Sequence, residues 1–369
     1  MNVVVVGGGV IGLSIAWRAA GRGMAVTVVD PQLGGAASGV AAGMLAPVTE
    51  VHYGEEAMLA LNLRSSHLYP DFVAELEEAS GCTTGYRASG TLTVARDTDD
   101  MAAVDELVAY QRGLGLDVER LRSRELRQLE PGLAPGMRGG ALVPGDHQVD
   151  PRRLVDALVE GCRRRGVSWR RERVTALRRH EVVLAGDERE RTDAVVVAAG
   201  CWSGTIEGLA PDVVAVRPVK GQILRLRGPA GQSLAGHNIR GLDAYLVPRS
   251  DGEVVVGATV EERGFDTTVT GGAVHDLLRA ALELLPDVGE LALVETSAGL
   301  RPGTPDNAPL IGLSGIDSVV LATGHYRNGI LLAPVTADTV VELVATGQTP
   351  EAIAAFCPRR FDRTQRVAS

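Results

Sequence analysis

A chain of 369 residues that is 45% hydrophobic and 22% charged can bury a large core, and its length favours two domains or one large α/β unit with an inserted layer. This composition excludes disordered, collagen-like and disulfide-scaffold proteins. With 37 basic residues against 46 acidic ones the net charge is −9, and only 4% of residues are aromatic, so neither a general attraction to nucleic acid nor a base-stacking surface is expected.

Residues 2–6, NVVVV, read as a strand buried on both faces, and 10–22 as a helix with Ile11, Ile15 and Ala19 on one side. AVTVVD, 25–30, is a second buried strand ending in an acid, so the chain opens with a mononucleotide-binding βαβ unit. The Gly/Ala-rich stretch 34–47 is too interrupted for one ordinary helix, whereas 55–79 reads as helical. A strand is expected at 90–95, a helix at 98–112, and a short helix at 123–130 stopped by Pro131 and Gly132. In 150–166, Asp150 precedes Pro151 as a cap, and Leu154, Val155 and Leu158 supply an apolar stripe. Strands follow at 173–177, 181–184 and 194–200, the last returning to the first sheet.

From 214 to 260 strand patterns dominate, with Ser250, Asp251 and Gly252 as a hairpin signal. A helix at 271–285 ends at Pro286, and a closing βα unit places a strand at 318–324 and a helix from about 329 to 346. These elements predict an α/β protein: a Rossmann-like dinucleotide-binding domain and a second domain on a mixed or antiparallel sheet. The first would be discontinuous, over 1–85, 145–215 and 300–369; the second would take 86–144 and 216–299.

Cys82, Cys162, Cys201 and Cys357 are widely spaced and form no CxxC pair, which fits free thiols in a reducing compartment. Asp146, His147 and Asp150 lack a defined ligand set, and Asp150 is better used as a cap, so no metal is expected. No apolar run approaches the ~18 residues of a membrane span, and no secretory signal is visible, so a cytoplasmic protein without membrane contact is expected.

Gly7-Gly8-Gly9-Val10-Ile11-Gly12 satisfies GxGxxG between a strand and a helix. Gly7 permits the tight turn, Gly9 lets backbone approach a pyrophosphate, and Gly12 lets helix and strand pack closely. Asp30 ends the next strand, placed to accept from an adenosine ribose hydroxyl, which disfavours a 2′-phosphate. The fingerprint alone leaves FAD and NAD both open.

Beyond the fingerprint, VVVVGGGVIGLSIAWRAA (3–20), GAASGVAAGMLAP (35–47), VDPRRLVDAL (149–158), VVVAAGCWS (195–203), RPVKGQ (217–222), GLRPGTPDNAPLIG (299–312) and GHYRNGILLAPVTA (324–337) run from end to end of the chain. In these stretches the chain resembles the D-amino-acid oxidase superfamily, and within it the glycine oxidase branch associated with thiamine biosynthesis. That resemblance implies a glutathione-reductase-type fold holding one noncovalent FAD. Asp30 stands where the family more often has Glu; both accept from a ribose. Ala37 and Ser38 would lie near the pyrophosphate and ribityl chain, Ala42, Gly43, Met44 and Leu45 beside the flavin ring, and Val174 at the adenine. Gly200 and Trp202 would fall in a second cofactor loop, and Arg301, Gly324, Arg327, Asn328, Gly329, Ile330 and Leu331 would complete the flavin environment. Gly329 is expected to open a helix whose N-terminus stabilises negative charge on the reduced flavin. The loop after Arg301 holds no cysteine, and Val260 stands where sarcosine oxidases carry lysine; both departures favour the glycine oxidase branch.

The same resemblance assigns Arg301 to the substrate carboxylate, which suits the planar fork of a guanidinium, and sets Tyr245 and Arg327 beside it. His325 and Tyr326 flank Arg327. The implied reaction is oxidative deamination of glycine or another small amino acid or amine by hydride transfer to flavin N5. It would yield glyoxylate, ammonia and, with molecular oxygen as acceptor, hydrogen peroxide. The alternative on the same scaffold is a D-amino-acid dehydrogenase or broader amine oxidase. A homo-oligomer is also expected.

Overall fold

The structure, a computed structural model, describes residues 1–361. Residues 362–369 of the expected 300–369 segment lie outside the described residues. Alternation along Asn2–Val6 buries that strand on both sides: Val3 and Val5 pack into one apolar cluster, Val4 and Val6 into another. The strand is central to a six-stranded sheet ordered Leu310–Leu313, Val319–Thr323, Ala194–Val197, Asn2–Val6, Ala25–Val29, Ser168–Arg170. Its neighbours run parallel except Leu310–Leu313, which is antiparallel to Val319–Thr323. Helices Val10–Gly21, Glu56–Ser80, Pro151–Arg164 and Ala333–Thr346 contribute to the first cluster, and the antiparallel strands Val174–Arg178 and Glu181–Leu184 to the second. This is the α/β doubly covered sheet that the opening motif implies.

The second sheet has eight strands, ordered Ala292–Gly303, Arg217–Arg227, Glu253–Gly257, Tyr245–Pro248, Asn238–Arg240, Thr91–Ala95, Gly139–Val143, Glu119–Arg122. It is mixed, because Asn238–Arg240 runs parallel to Thr91–Ala95 while the other pairs are antiparallel. Leu224, Leu226, Leu246, Val254 and Val256 pack under helix Gly271–Leu284. Ile223, Val247 and Val255, one residue out of phase, cluster instead with Ala42, against which Val40 and Met44 also pack.

Most elements lie within a few residues of expectation, and Asp150 caps its helix by accepting from the backbone N–H groups of Arg152 and Arg153. Two differences bear on the site. The last helix begins at Ala333, not Gly329; Pro334, which lacks an N–H, occupies its first turn, and residues 326–332 are turns. Arg301 lies on a strand of twelve residues, Ala292–Gly303, to which the sequence reading assigns no element. The first half of that strand is exposed, with Leu293 and Val294 adjacent in solvent, so no apolar–polar alternation marks it, and its pairing with Arg217–Arg227 decides its conformation.

Candidate active site

One continuous cavity of about 610 Å³ lies between the two sheets. At its first end Gly7 takes φ +113, and a Cβ there would stand 2.4 Å from the Ala198 carbonyl oxygen. Gly12 does not line the cavity; its Cβ would meet the Gly7 oxygen at 1.9 Å, so glycine here sets how closely helix and strand approach. Helix Val10–Gly21 has Gly9 as its N-cap residue and no acid in its first turn. Ser38 Oγ accepts from the Val10 N–H at 3.0 Å, across the open face of Gly9. Asp30 closes this end, its carboxylate accepting from the Gly8 and Gln32 N–H groups at 2.6 Å each.

The middle of the wall is the segment 37–44. Gly43 takes φ +82, and a Cβ would collide with Val149 O at 2.1 Å; the Val149 N–H in turn donates to Gly43 O at 2.9 Å. Buried Arg249 ties the same place together, donating to Gln148 Oε1 at 2.7 Å, to Val149 O at 2.9 Å and to Ala42 O. Ala42, Gly43 and Met44 therefore present small, fixed surfaces to the cavity, while Leu45 is buried in the core behind them.

At the far end the eight-stranded sheet supplies the polar groups. Register pairs Val219 with Arg301 and Gly221 with Gly299, and the Arg301 side chain lies across Gly221. A Cβ on Gly221 would stand 2.3–2.5 Å from three guanidinium atoms. Arg301 Nη1 donates to Thr259 O at 3.1 Å, with Lys220 O at 3.5 Å. Tyr245 pairs with Gly257 on the adjacent strand and uses the same absence of a side chain: a Cβ there would meet the hydroxyl at 2.4 Å. Burial raises the Tyr245 phenol above its ordinary value, and the adjoining Arg301 cation offsets only part of this. Two glycines thus leave a hollow in which an arginine and a neutral tyrosine meet.

Of the residues expected at the site, Gly7, Gly9, Val10, Ile11, Asp30, Ala37, Ser38, Ala42, Gly43, Met44, Val174, Gly200, Trp202, Tyr245, Arg301, Arg327, Gly329 and Ile330 line this cavity. Gly12, Leu45, Asn328 and Leu331 stand behind it; Leu331 O accepts from Ser65 Oγ at 2.6 Å and Asn328 O from the Leu332 N–H at 2.8 Å. Arg327 is exposed at the mouth, with Nη1 3.4 Å from His52 Nε2 and its guanidinium over the Tyr326 ring. His325 is buried against Thr336 Oγ1 at 3.1 Å, and burial pushes its pKa down to about 3, so it stays neutral. Asp146 is turned to the backbone of Val48 and Thr49, accepting from both N–H groups and from Thr49 Oγ1.

Sequence reasoning missed Glu50, Arg240, Gly221 and Gly257, all of which line the cavity. Only RPVKGQ carried a signal, because its glycine interrupts a strand where a close approach is one explanation.

The family described as DAO, FAD dependent oxidoreductase, matches residues 2–343. The chain belongs to this family. A bifunctional protein ThiO/ThiG of Synechocystis is 37% identical over 98% of the chain. The chain spans 54% of that relative, about half the length of the first curated relatives it matches. The glycine oxidase of Geobacillus kaustophilus is 32% identical over 96% of each chain. The crystal structure of glycine oxidase from that organism superposes with a TM-score of 0.90, at 32% identity, covering 97% of this chain and 98% of that one.

The residues present fit the family's FAD. Gly7 and Gly9 form a cradle that a Cβ would narrow, the helix start behind them offers N–H groups, and Asp30 offers acceptor oxygens. The cavity continues from there, without a break, to the arginine and tyrosine of the second sheet.

Proposed function

We propose that this FAD-dependent oxidoreductase oxidises glycine and other small amino acids or amines, as in the glycine oxidase branch associated with thiamine biosynthesis. One observation carries the reading: Arg301 and Tyr245 meet in the cavity that begins at the dinucleotide cradle, and no carboxylate among the described residues pairs with Arg301. A fixed, unneutralised guanidinium beside a neutral phenol suits an α-carboxylate. In this reading Asp30, the Gly7–Gly9 turn, Ala37 and Ser38 hold the cofactor, with Val174 at the adenine. Met44, Gly200, Trp202, Gly329 and Ile330 border the flavin. FAD, when bound without a covalent link, supplies the acceptor for the two electrons of the substrate Cα–H bond.

The chain's own contribution is positional. Arg301 and Tyr245 fix the carboxylate and hence the direction of Cα, while Ala42, Gly43 and Met44 leave little room for a substrate side chain. No side-chain base needs to be invoked if the amine enters unprotonated. The net reaction is glycine, oxygen and water giving glyoxylate, ammonia and hydrogen peroxide.

A peroxide-coupled screen of glycine, sarcosine and small D- and L-amino acids tests this reading, with anaerobic bleaching of the flavin band as an acceptor-independent readout. Glycine should bleach the flavin and release peroxide on admission of air. Bleaching without peroxide would replace the oxidase by a dehydrogenase, and no bleaching by any small amino acid would overturn the reading. Acid precipitation should leave all yellow colour in the supernatant.

A further inference from the structure

Arg240 stands directly opposite Tyr245 in the antiparallel pair of Asn238–Arg240 with Tyr245–Pro248. Opposed residues share a sheet face with Cβ atoms about 5 Å apart. Strand order puts Arg240 on the side of Tyr245 away from Arg301. Its Nη1 donates to Glu50 Oε1 at 2.8 Å, and the two side chains keep only 24% and 14% of their exposure. Both line the same cavity as Arg301 and Tyr245.

Neither partner is a loose surface group. Arg240 projects from a sheet strand, and Glu50 follows a turn anchored by Asp146 through Val48 and Thr49. Of the other charges at this end, Asp243 accepts from Arg96 Nη2 at 2.8 Å, and Arg327 stays exposed at the mouth beside His52. Arg240 is the cation that shares the sheet face of Tyr245, and Glu50 neutralises it.

A substrate held at Arg301 and Tyr245 that carried a second carboxylate would bring that group toward Arg240. The guanidinium already holds Glu50, whose charge repels the newcomer. We propose that the Glu50–Arg240 pair sets substrate specificity: by neutralising the cation next to Tyr245 on the sheet, it restricts the enzyme to monocarboxylates with small, uncharged side chains. This inference rests on the clamp reading of Arg301 and Tyr245.

The test uses the holoenzyme and two readouts: flavin-absorbance titration with acetate and succinate at constant ionic strength, and kcat/KM for glycine and D-aspartate. Glu50→Gln keeps the shape but releases the Arg240 charge. Selectivity for succinate over acetate, and for D-aspartate over glycine, should rise roughly ten- to hundredfold, the scale of one charge-assisted hydrogen bond. The double variant Glu50→Gln/Arg240→Met should lose that gain. An unchanged selectivity in Glu50→Gln, or a gain that survives loss of Arg240, overturns the proposal. If Glu50→Gln does not retain FAD, Arg240→Met decides instead: the unopposed Glu50 charge should lower succinate selectivity by about threefold or more, and no change refutes the pair's role. A wild type inert to glycine strikes the clamp reading itself, whereas a glycine-oxidising wild type with selectivity unmoved in the variants strikes this inference alone.

Discussion

A guanidinium can serve a wall or a ligand, and the proposed function gives Arg301 the second use. It donates to backbone carbonyl oxygens along one edge and leaves its charge without a carboxylate among the described residues. Arg301→Lys would keep the charge and lose the fork, so the change is not conservative. Removing a charged hydrogen-bond partner of this kind costs about 2–5 kcal/mol. At roughly 1.4 kcal/mol per decade, Arg301→Ala should lose roughly thirtyfold to several-thousandfold in kcat/KM for glycine, with the flavin spectrum nearly intact. The control is methylamine, which has no carboxylate: its slow oxidation should barely change. Equal proportional losses for the two substrates, at saturating FAD, would remove the clamp from Arg301 and make it a brace for the strand Ala292–Gly303.

Strand elements position the proposed clamp by what they omit. Period-two alternation sends Leu224, Leu226, Val254 and Val256 toward the helix Gly271–Leu284, and on the opposite face the row holds Gly221, Ile223, Val255 and Gly257. The two glycines are where side chains from neighbouring strands need room. In Gly221→Ala the intruding atom would meet the far end of a flexible side chain, not backbone, so Arg301 should move and the sheet should survive. A shift of about 1 Å in a positioning group can cost on the order of a hundredfold. Gly221→Ala is therefore expected to lower glycine kcat/KM at least tenfold, on that scale. FAD content and Tm should stay close to wild type. A large fall in Tm with the activity of the folded fraction preserved would show that Gly221 serves the sheet and not the clamp. Gly12 makes the contrasting case, since its Cβ would strike a backbone carbonyl that cannot yield, and substitution there should cost FAD binding and stability together.

Across the whole molecule, the walls of the cavity are placed by contacts distant in sequence, and Asp146 makes one of them. It follows the strand Gly139–Val143 of the second sheet and holds the turn 47–50, which carries Glu50. Burial raises its pKa from 3.8 to about 6, against hydrogen bonds from Thr49 and Val48 that favour the charged form. A carboxyl whose folded pKa is raised stabilises the fold below the unfolded value and loses that contribution as pH rises through the folded one. The window is thus about pH 4 to 6, with a size on the order of 3 kcal/mol. Asp146→Asn does not titrate, so the Tm advantage of wild type over this variant should be largest near pH 4 and shrink by pH 7. An advantage that grows with pH would mean that Asp146 is held charged. The comparison must be with the variant, because carboxylates such as Asp100 and Glu295, lowered chiefly by their bonds to Arg96 and Arg152, shift total stability the other way.

The sequence alone determined the parts whose physics is local. Gly7, Gly9, Gly12 and Asp30 lie within one βαβ unit, where turn geometry and strand alternation leave few other choices, and the Asp150 cap is complete within four residues. It also pointed to Arg301 and Tyr245, through motif resemblance, while leaving the strand that carries the arginine unassigned and starting the last helix four residues early. The tertiary structure decided everything that depends on register between distant strands. Gly221 lies under Arg301 because Val219 pairs with a residue eighty-two positions away, and Glu50 meets Arg240 across 190 residues. No local period encodes such a pairing: a one-residue slip would turn these side chains to the other face, and only the packing of both sheets against their own cores forbids it.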